Sequence, residues 1–177
     1  SLDGPIDDYR DTRDRPDLDA TSRLSPYLKW GCIHPRQLLA RLGGGQAHDR
    51  FRAELCWREF YADVLWHRPD TVRQAFQPGM RSMEVDAGPA THWAFQAWAE
   101  GRTGYPIVDA GMRQLVAEGW MHNRVRMIVA SFLVKDLHLD WGRGARFFME
   151  HLVDGDLASN HHGWQWVAGS GADALQA

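Results

Sequence analysis

Residues 154–166 read Asp-Gly-Asp-Leu-Ala-Ser-Asn-His-His-Gly-Trp-Gln-Trp. Within this run lie two carboxylates (Asp154, Asp156), the amide of Asn160, two imidazoles (His161, His162) and two indoles (Trp164, Trp166). Gly155 and Gly163 are points where the backbone can approach a neighbour closely. Polar groups beside indole faces can hydrogen-bond and stack on a flat aromatic ligand. The same indoles also read as plain core anchors, and this stretch alone does not separate the two. The whole chain holds nine tryptophans in 177 residues. Each indole N–H wants a partner, so such a surplus suits a flat ligand or electron movement as well as a core.

Three further sets carry possible chemistry. Thr21-Ser-Arg-Leu-Ser25 places three hydroxyls and a guanidinium just ahead of the apolar turn Tyr27-Leu-Lys-Trp30. Those hydroxyls suit an N-cap; with free N–H groups and Arg23 they also suit an anion. Glu54, Trp57, Arg58 and Tyr61 fall at i, i+3, i+4 and i+7, along one helix face. That face is either a Glu54–Arg58 ion pair with two aromatics at the core edge, or a rim presenting an indole and a carboxylate to a ligand. Asn123, Arg126 and Met127 share the first turns of an apolar helix. There backbone N–H groups and an arginine can meet a phosphate or acyl oxygen, or simply form a capping set. His122, His161 and His162 lack a fixed ligand spacing and cysteine companions, so no metal site is expected.

Helices must position these residues. Residues 34–42 read as a short helix with Pro35 at its first position, stopped by Gly43-Gly-Gly45. From Asp49 to about His67, Phe51, Leu55, Phe60, Val64 and Leu65 recur at helical spacing until Pro69 ends the run. Residues 68–90 are turn-rich and resist assignment. Short helices are expected over 92–99 and 107–118, the second closed by Gly119, and a strongly apolar one from about 123 to 139. Another begins at Asp140-Trp-Gly142 with Phe147, Phe148 and Leu152 inward. No segment alternates with period two, so the expected fold class is an all-α bundle of six or seven helices.

The length suits one domain, and a net charge of -3 excludes a uniformly basic nucleic-acid binder while allowing a local patch. Only Lys29 and Lys135 among the twenty basic residues are lysines. Arginine favours fork-shaped contacts to phosphate and carboxylate, although high-GC coding produces the same bias. Cys32 and Cys56 have no CxxC spacing, which argues for a reducing, cytoplasmic compartment rather than a disulfide framework. No run is apolar enough for a membrane span and no signal peptide is visible. The polar run over residues 1–20 reads as a linker entering a domain over 21–173, with 174–177 as a tail.

The motifs Thr21-Ser-Arg-Leu-Ser25, Trp57-Arg-Glu-Phe60, Gly101-Arg-Thr-Gly-Tyr-Pro-Ile-Val-Asp109, Gly119-Trp-Met-His-Asn-Arg-Val-Arg-Met127, Ala130-Ser-Phe-Leu-Val-Lys135 and the 154–166 stretch occur in this order. Together they resemble the helical flavin-binding domain of the photolyase and cryptochrome family. They are most similar to the class I members that repair cyclobutane pyrimidine dimers, from about Tyr9 to Asp173. The resemblance implies FAD bent in a helical pocket. Tyr9, Thr21, Ser22, Arg23, Leu24 and Ser25 would hold the diphosphate, and Arg126, Asp154, Gly155 and Asp156 the flavin and ribityl side. Trp57, Arg58 and Asn123 complete the cofactor set, and Asn160 would face N5 of the ring. A neutral amide there adds no charge beside an anionic reduced flavin.

The resemblance also implies damaged DNA as partner and a dimer flipped out of the duplex. Trp57 and Trp166 would pack on its rings, Glu54 and Asn123 would bond its polar edges, and Met127 would fill beside it. Arg13 and Arg124 would touch phosphate. The implied activity is that of a deoxyribodipyrimidine photo-lyase: excited reduced flavin lends the dimer an electron, the ring opens, and the electron returns. Trp164 and Trp141 match the inner indoles of the family's reducing chain; at the outer position stands Gly88, with Trp93 as a nearby substitute. With no antenna domain ahead of Tyr9, no second chromophore is expected, and the tail from Ala174 does not resemble the family's further helices. A monomer without metal or membrane contact is implied. A cryptochrome-like FAD photosensor and an inactive fragment are the alternatives.

Overall fold

The computed structural model describes residues 6–172; Asp173 and the expected tail 174–177 lie outside them. Among the described residues there are nine α-helices and no strand, more helices than the six or seven expected. The surplus comes from two short segments, α1 (Tyr9–Thr12) and α2 (Ser25–Lys29), in chain that read as linker and cap. The 1–20 stretch read as linker thus contains α1. Ile6 is buried, and the Tyr9 ring meets Phe51 edge-on at 5.3 Å, so this segment is packed. The capping reading of Thr21–Ser25 is corrected too: Leu24 occupies the N-cap of α2 and no side chain caps it.

The later elements follow their punctuation. α3 (Pro35–Leu39) starts on proline, with His34 and Gln37 forming a reciprocal cap. α4 (Gln46–His67) begins three residues earlier than its apolar periodicity, because Gly45 at φ 113° turns the chain into it. α5 (Pro89–Ala99) and α6 (Pro106–Glu118) both start on proline, and α6 closes on Gly119 at φ 65°. The long apolar helix expected to residue 139 is α7 (Asn123–Ser131) followed by a π-helical turn, Phe132–Asp136. α8 (Trp141–His151) and α9 (Leu157–Val167) are capped by the carboxylates of Asp140 and Asp156.

Two apolar clusters result. The larger packs Trp98, Met112, Leu115, Leu133, Leu139, Phe148 and Trp164 between α5, α6, α7, α8 and α9. The smaller joins Ile6, Leu38, Phe51 and Leu55, with Tyr9, Leu24 and Leu28 against it. α4 bridges them, packing on α1 at one end and α9 along its length. Gly144 is required where α8 meets α9, since a Cβ there would stand 2.2 Å from the Trp164 ring. The Asn160 amide fastens the same pair by donating to the Ala145 carbonyl at 2.9 Å.

The turn-rich stretch 68–90 is ordered from α9. Fully buried Gln165 donates to the Thr71 carbonyl at 2.6 Å and accepts from the Phe76 N–H at 2.8 Å. Among the described residues, no helix is long and apolar enough to cross a membrane.

Candidate functional site

A cavity of about 570 Å³ lies at the seam between the two clusters. That is the size range of cofactor pockets, and a junction between packed bodies is where such pockets form. One wall comes from α1, the 21–25 loop and α2, through Tyr9, Thr21, Ser22, Arg23, Leu24, Ser25 and Leu28. α4 supplies Phe51, Glu54, Trp57, Arg58 and Tyr61. The facing wall is Trp120 to Asn123, Arg126 and Met127, and the floor is Asp154, Asp156, Ser159, Gly163 and Trp166. Its lining holds six basic side chains against three acidic ones, although the chain as a whole is negative. The cavity therefore attracts anions where the molecule at large does not.

The 21–25 loop is held under strain. Arg23 has φ 48°, left-handed backbone that costs a non-glycine residue about 1–3 kcal/mol. Its guanidinium lies 4.4 Å over the Trp120 ring and 3.2 Å from Asp19, contacts that offset the strain and dock the loop on the opposite wall. Among the described residues, no side-chain hydrogen bond engages Thr21, Ser22 or Ser25. With Leu24 at the helix cap, those three residues line the cavity.

Arg126 ties three segments together. Its Nη2 donates to both oxygens of Asp154 at 3.1 and 2.9 Å, and its Nε to the Met121 carbonyl at 2.8 Å. The Asp154 side chain is 2% exposed, so this pair sets the floor against the α7 wall. On α4 the expected Glu54–Arg58 pair does not form: Arg58 pairs with Glu59, while Glu54 accepts from Arg13 at 2.5 Å and lies 3.6 Å from Arg50. Burial works against the charge on Arg13, but the hydrogen bond to Glu54 together with the charges of Glu54, Tyr9 and Asp14 raises its pKa. Burial, reinforced by the Glu54 charge, pushes the Tyr9 phenol up.

An aromatic ladder runs inward from the mouth. Trp57 meets Tyr61 at 5.9 Å, and Tyr61 stacks on buried His162 at 5.4 Å with planes 4° apart. Trp57 and Trp166 are each 43% exposed, so two indole faces remain open at the rim.

Most residues singled out from sequence converge here, and five, Arg124, Trp141, Gly155, Asn160 and Trp164, do not line the cavity. Gly155 lies against Leu152 and Met149. Asn160 sits on α9 between cavity-lining Ser159 and Gly163, half-buried, its amide nitrogen committed to Ala145. Trp164 and Trp141 are core residues: Trp164 meets Phe148 at 5.0 Å and Trp98 at 6.1 Å, and Trp141 meets His161 at 6.1 Å. Gly88 is the N-cap of α5, and Trp93, five residues on, is 69% exposed. Arg124 stands beside Met127 at the rim, bonded to Asp14 at 2.7 Å.

The residue that sequence reasoning missed is His122. Its Nδ1 accepts from the Arg124 N–H at 3.1 Å and caps α7, which leaves the proton on Nε2. That Nε2 is buried without a hydrogen-bond partner, on a residue that lines the cavity. Burial, with Arg124, Arg126 and Arg13 nearby and Asp14 opposing, holds the imidazole pKa below its ordinary value. Its place between Met121 and Asn123 was the available signal. Among the described residues, no three His, Cys, Asp or Glu side chains converge as a metal-ligand set.

Comparison with known proteins gives this geometry its context. Deoxyribodipyrimidine photo-lyase of Streptomyces griseus is 49% identical over 174 residues, covering 97% of this chain and 37% of its own length. The Escherichia coli protein of the same name is also 49% identical, over 94% of this chain and 36% of its own length. The chain thus spans little more than a third of these relatives. A class III photolyase of Agrobacterium tumefaciens superposes with a TM-score of 0.90 at 47% identity, over 98% of this chain and 36% of its own. A cryptochrome of Synechocystis superposes at 0.83 with 33% identity, over 96% of this chain and 36% of its own. Residues 51–177 match the family model described as the FAD binding domain of DNA photolyase. With the match covering most of the chain and the relatives agreeing in fold, the chain belongs to the family of photolyase FAD-binding domains.

Proposed function

We propose that this chain binds FAD in the seam cavity and forms the catalytic body of a deoxyribodipyrimidine photo-lyase, repairing cyclobutane pyrimidine dimers in DNA. One observation carries the reading: a single hollow is lined both by residues suited to a dinucleotide and by residues suited to a dimer. The first set is Thr21, Ser22, Ser25, Arg126, Asp154 and Asp156; the second is Glu54, Trp57, Asn123, Met127 and Trp166.

Features of the cavity fit FAD, the cofactor of this family. Its excess of basic side chains and its uncommitted hydroxyls suit a diphosphate. The orphaned Nε2–H of His122 lacks an acceptor, which an uncharged ring nitrogen or carbonyl of the cofactor would supply. Gly163 sits mid-helix with nothing within 4 Å of where a Cβ would lie, so its bare backbone borders open cavity. When bound and reduced, FAD supplies a light-driven electron to the dimer and takes it back.

The chain's own residues do the remaining work. Trp57 and Trp166 offer flat faces for a dimer out of the stack. Glu54 and Asn123 bond the polar edges of the pyrimidines, and Met127 fills the remaining apolar space. Asn160 lies one helical turn from Asp156, and its carbonyl oxygen stays uncommitted while the amide nitrogen anchors to Ala145. Trp164 and Trp141 lead inward electrons from the protein surface. Free, exposed Cys32 and Cys56 suit a reducing cytoplasm, and we infer a monomer.

Photoreactivation of a dimer-bearing oligonucleotide tests the reading, with light-dependent loss of the dimer as the expected result. The likeness to a cryptochrome favours a second reading, an FAD photosensor. Bound and photoreduced FAD with no repair would select it.

A further inference from the structure

Arg13 and Arg124, both assigned to DNA phosphate, are occupied in the structure. They belong to one continuous line of alternating charge running from the cavity to the rim. Glu54, in the cavity wall, accepts from Arg13 Nη1 at 2.5 Å. Arg13 Nε lies 3.5 Å from Asp14, and Asp14 accepts from Arg124 Nη2 at 2.7 Å. The inner pair is the more enclosed: the Glu54 and Arg13 side chains are 32% and 12% exposed, those of Asp14 and Arg124 53% and 37%. Burial of the Asp14 carboxyl works against its ionisation, but the Arg124 hydrogen bond and the charges of both arginines hold its pKa below the ordinary range. Asp14 is therefore a carboxylate that occupies the rim arginine a DNA phosphate would have to engage.

Resting on the function proposed above, we propose that Asp14 is a specificity-determining residue: it withholds Arg124 from the phosphates of undamaged DNA until a dimer occupies the cavity. On undamaged duplex nothing reaches Glu54, so Arg13 stays on Glu54 and Asp14 keeps Arg124. Phosphate must then compete with an internal carboxylate for the rim arginine. When the polar edges of a dimer engage Glu54, Arg13 is released toward Asp14, and Asp14 in turn releases Arg124 to the backbone. The line so converts occupancy of the hollow into grip on the phosphates, which otherwise carry no information about damage.

The test is binding in the dark, with the chain saturated with FAD, to matched duplexes with and without one dimer, over a series of salt concentrations. The native chain must first prefer the dimer; if it does not, the proposed function fails and the question of Asp14 does not arise. Asp14→Asn is expected to tighten binding to undamaged duplex about three- to tenfold while leaving the dimer duplex within about twofold. The salt slope on undamaged DNA should steepen by about 0.9, one additional phosphate contact. Asp70→Asn frees a similar arginine pair on another element and controls for charge alone. In an Arg124→Ala background the effect of Asp14→Asn should vanish. Equal tightening on both duplexes, no change beyond that of Asp70→Asn, weaker binding, or an effect surviving in Arg124→Ala would overturn the proposal.

Discussion

At the scale of single residues, buried histidines set how the protein responds to acid. Burial depresses the pKa of both His122 and His161, the latter also facing His162 and Arg146 while its Nδ1 contacts the Leu157 carbonyl. A depressed histidine binds its proton better in the unfolded chain. The stability it permits is fully present above the ordinary value of 6.5 and is lost as pH falls from there through the folded-state pKa. The melting temperature is expected to drop from pH 7.5 to 5.5. His122→Asn, which keeps a capping side chain without the titration, should show a shallower drop. An identical profile in both proteins would show that His122 does not contribute. Also at this scale, Trp57→Ala should weaken binding to a dimer-bearing oligonucleotide by about 1–3 kcal/mol, measured by fluorescence anisotropy, because one stacking face is removed.

At the scale of elements, α9 serves both the core and the cavity, and its glycine separates the two roles. A helix-interior glycine costs about 0.5–1 kcal/mol relative to alanine, and at Gly163 a methyl group meets nothing in the protein. Gly163→Ala should therefore raise stability by about that amount in denaturant unfolding while weakening FAD binding. Stability and affinity rising together would show that the cavity floor is not where the cofactor lies. Several element boundaries were readable from local chemistry: Pro35 and Pro106 start helices, Gly119 stops one and Asp140 begins another, whereas the start of α5 at Pro89 and the cap of α9 by Asp156 were not read. α1 and the 68–90 stretch were not readable. Tyr9 is held by Phe51, and Thr71 and Phe76 by Gln165, across dozens of residues, and no local pattern encodes such contacts.

At the scale of the whole molecule, the candidate site was legible as a set of motifs and illegible as a network. Ordered motifs identified which segments meet, because each keeps its chemistry in a run of a few residues. The partners chosen at the site were beyond that reading. Arg58 selects Glu59 over Glu54, and Arg124 selects Asp14, because side-chain reach in the folded state decides among several nearby carboxylates. The same scale governs electron supply. Trp164→Phe should slow photoreduction of bound flavin, followed by absorbance, while leaving repair by chemically reduced flavin intact. Loss of both would remove Trp164 from the reducing route and make it a purely structural contact of Gly144 and Phe148. The central claim is that the seam between the two apolar clusters is a flavin site, and equilibrium dialysis of FAD against the native chain tests it most directly. Saturation at one FAD per chain is the predicted result; the absence of saturable binding would contradict the account.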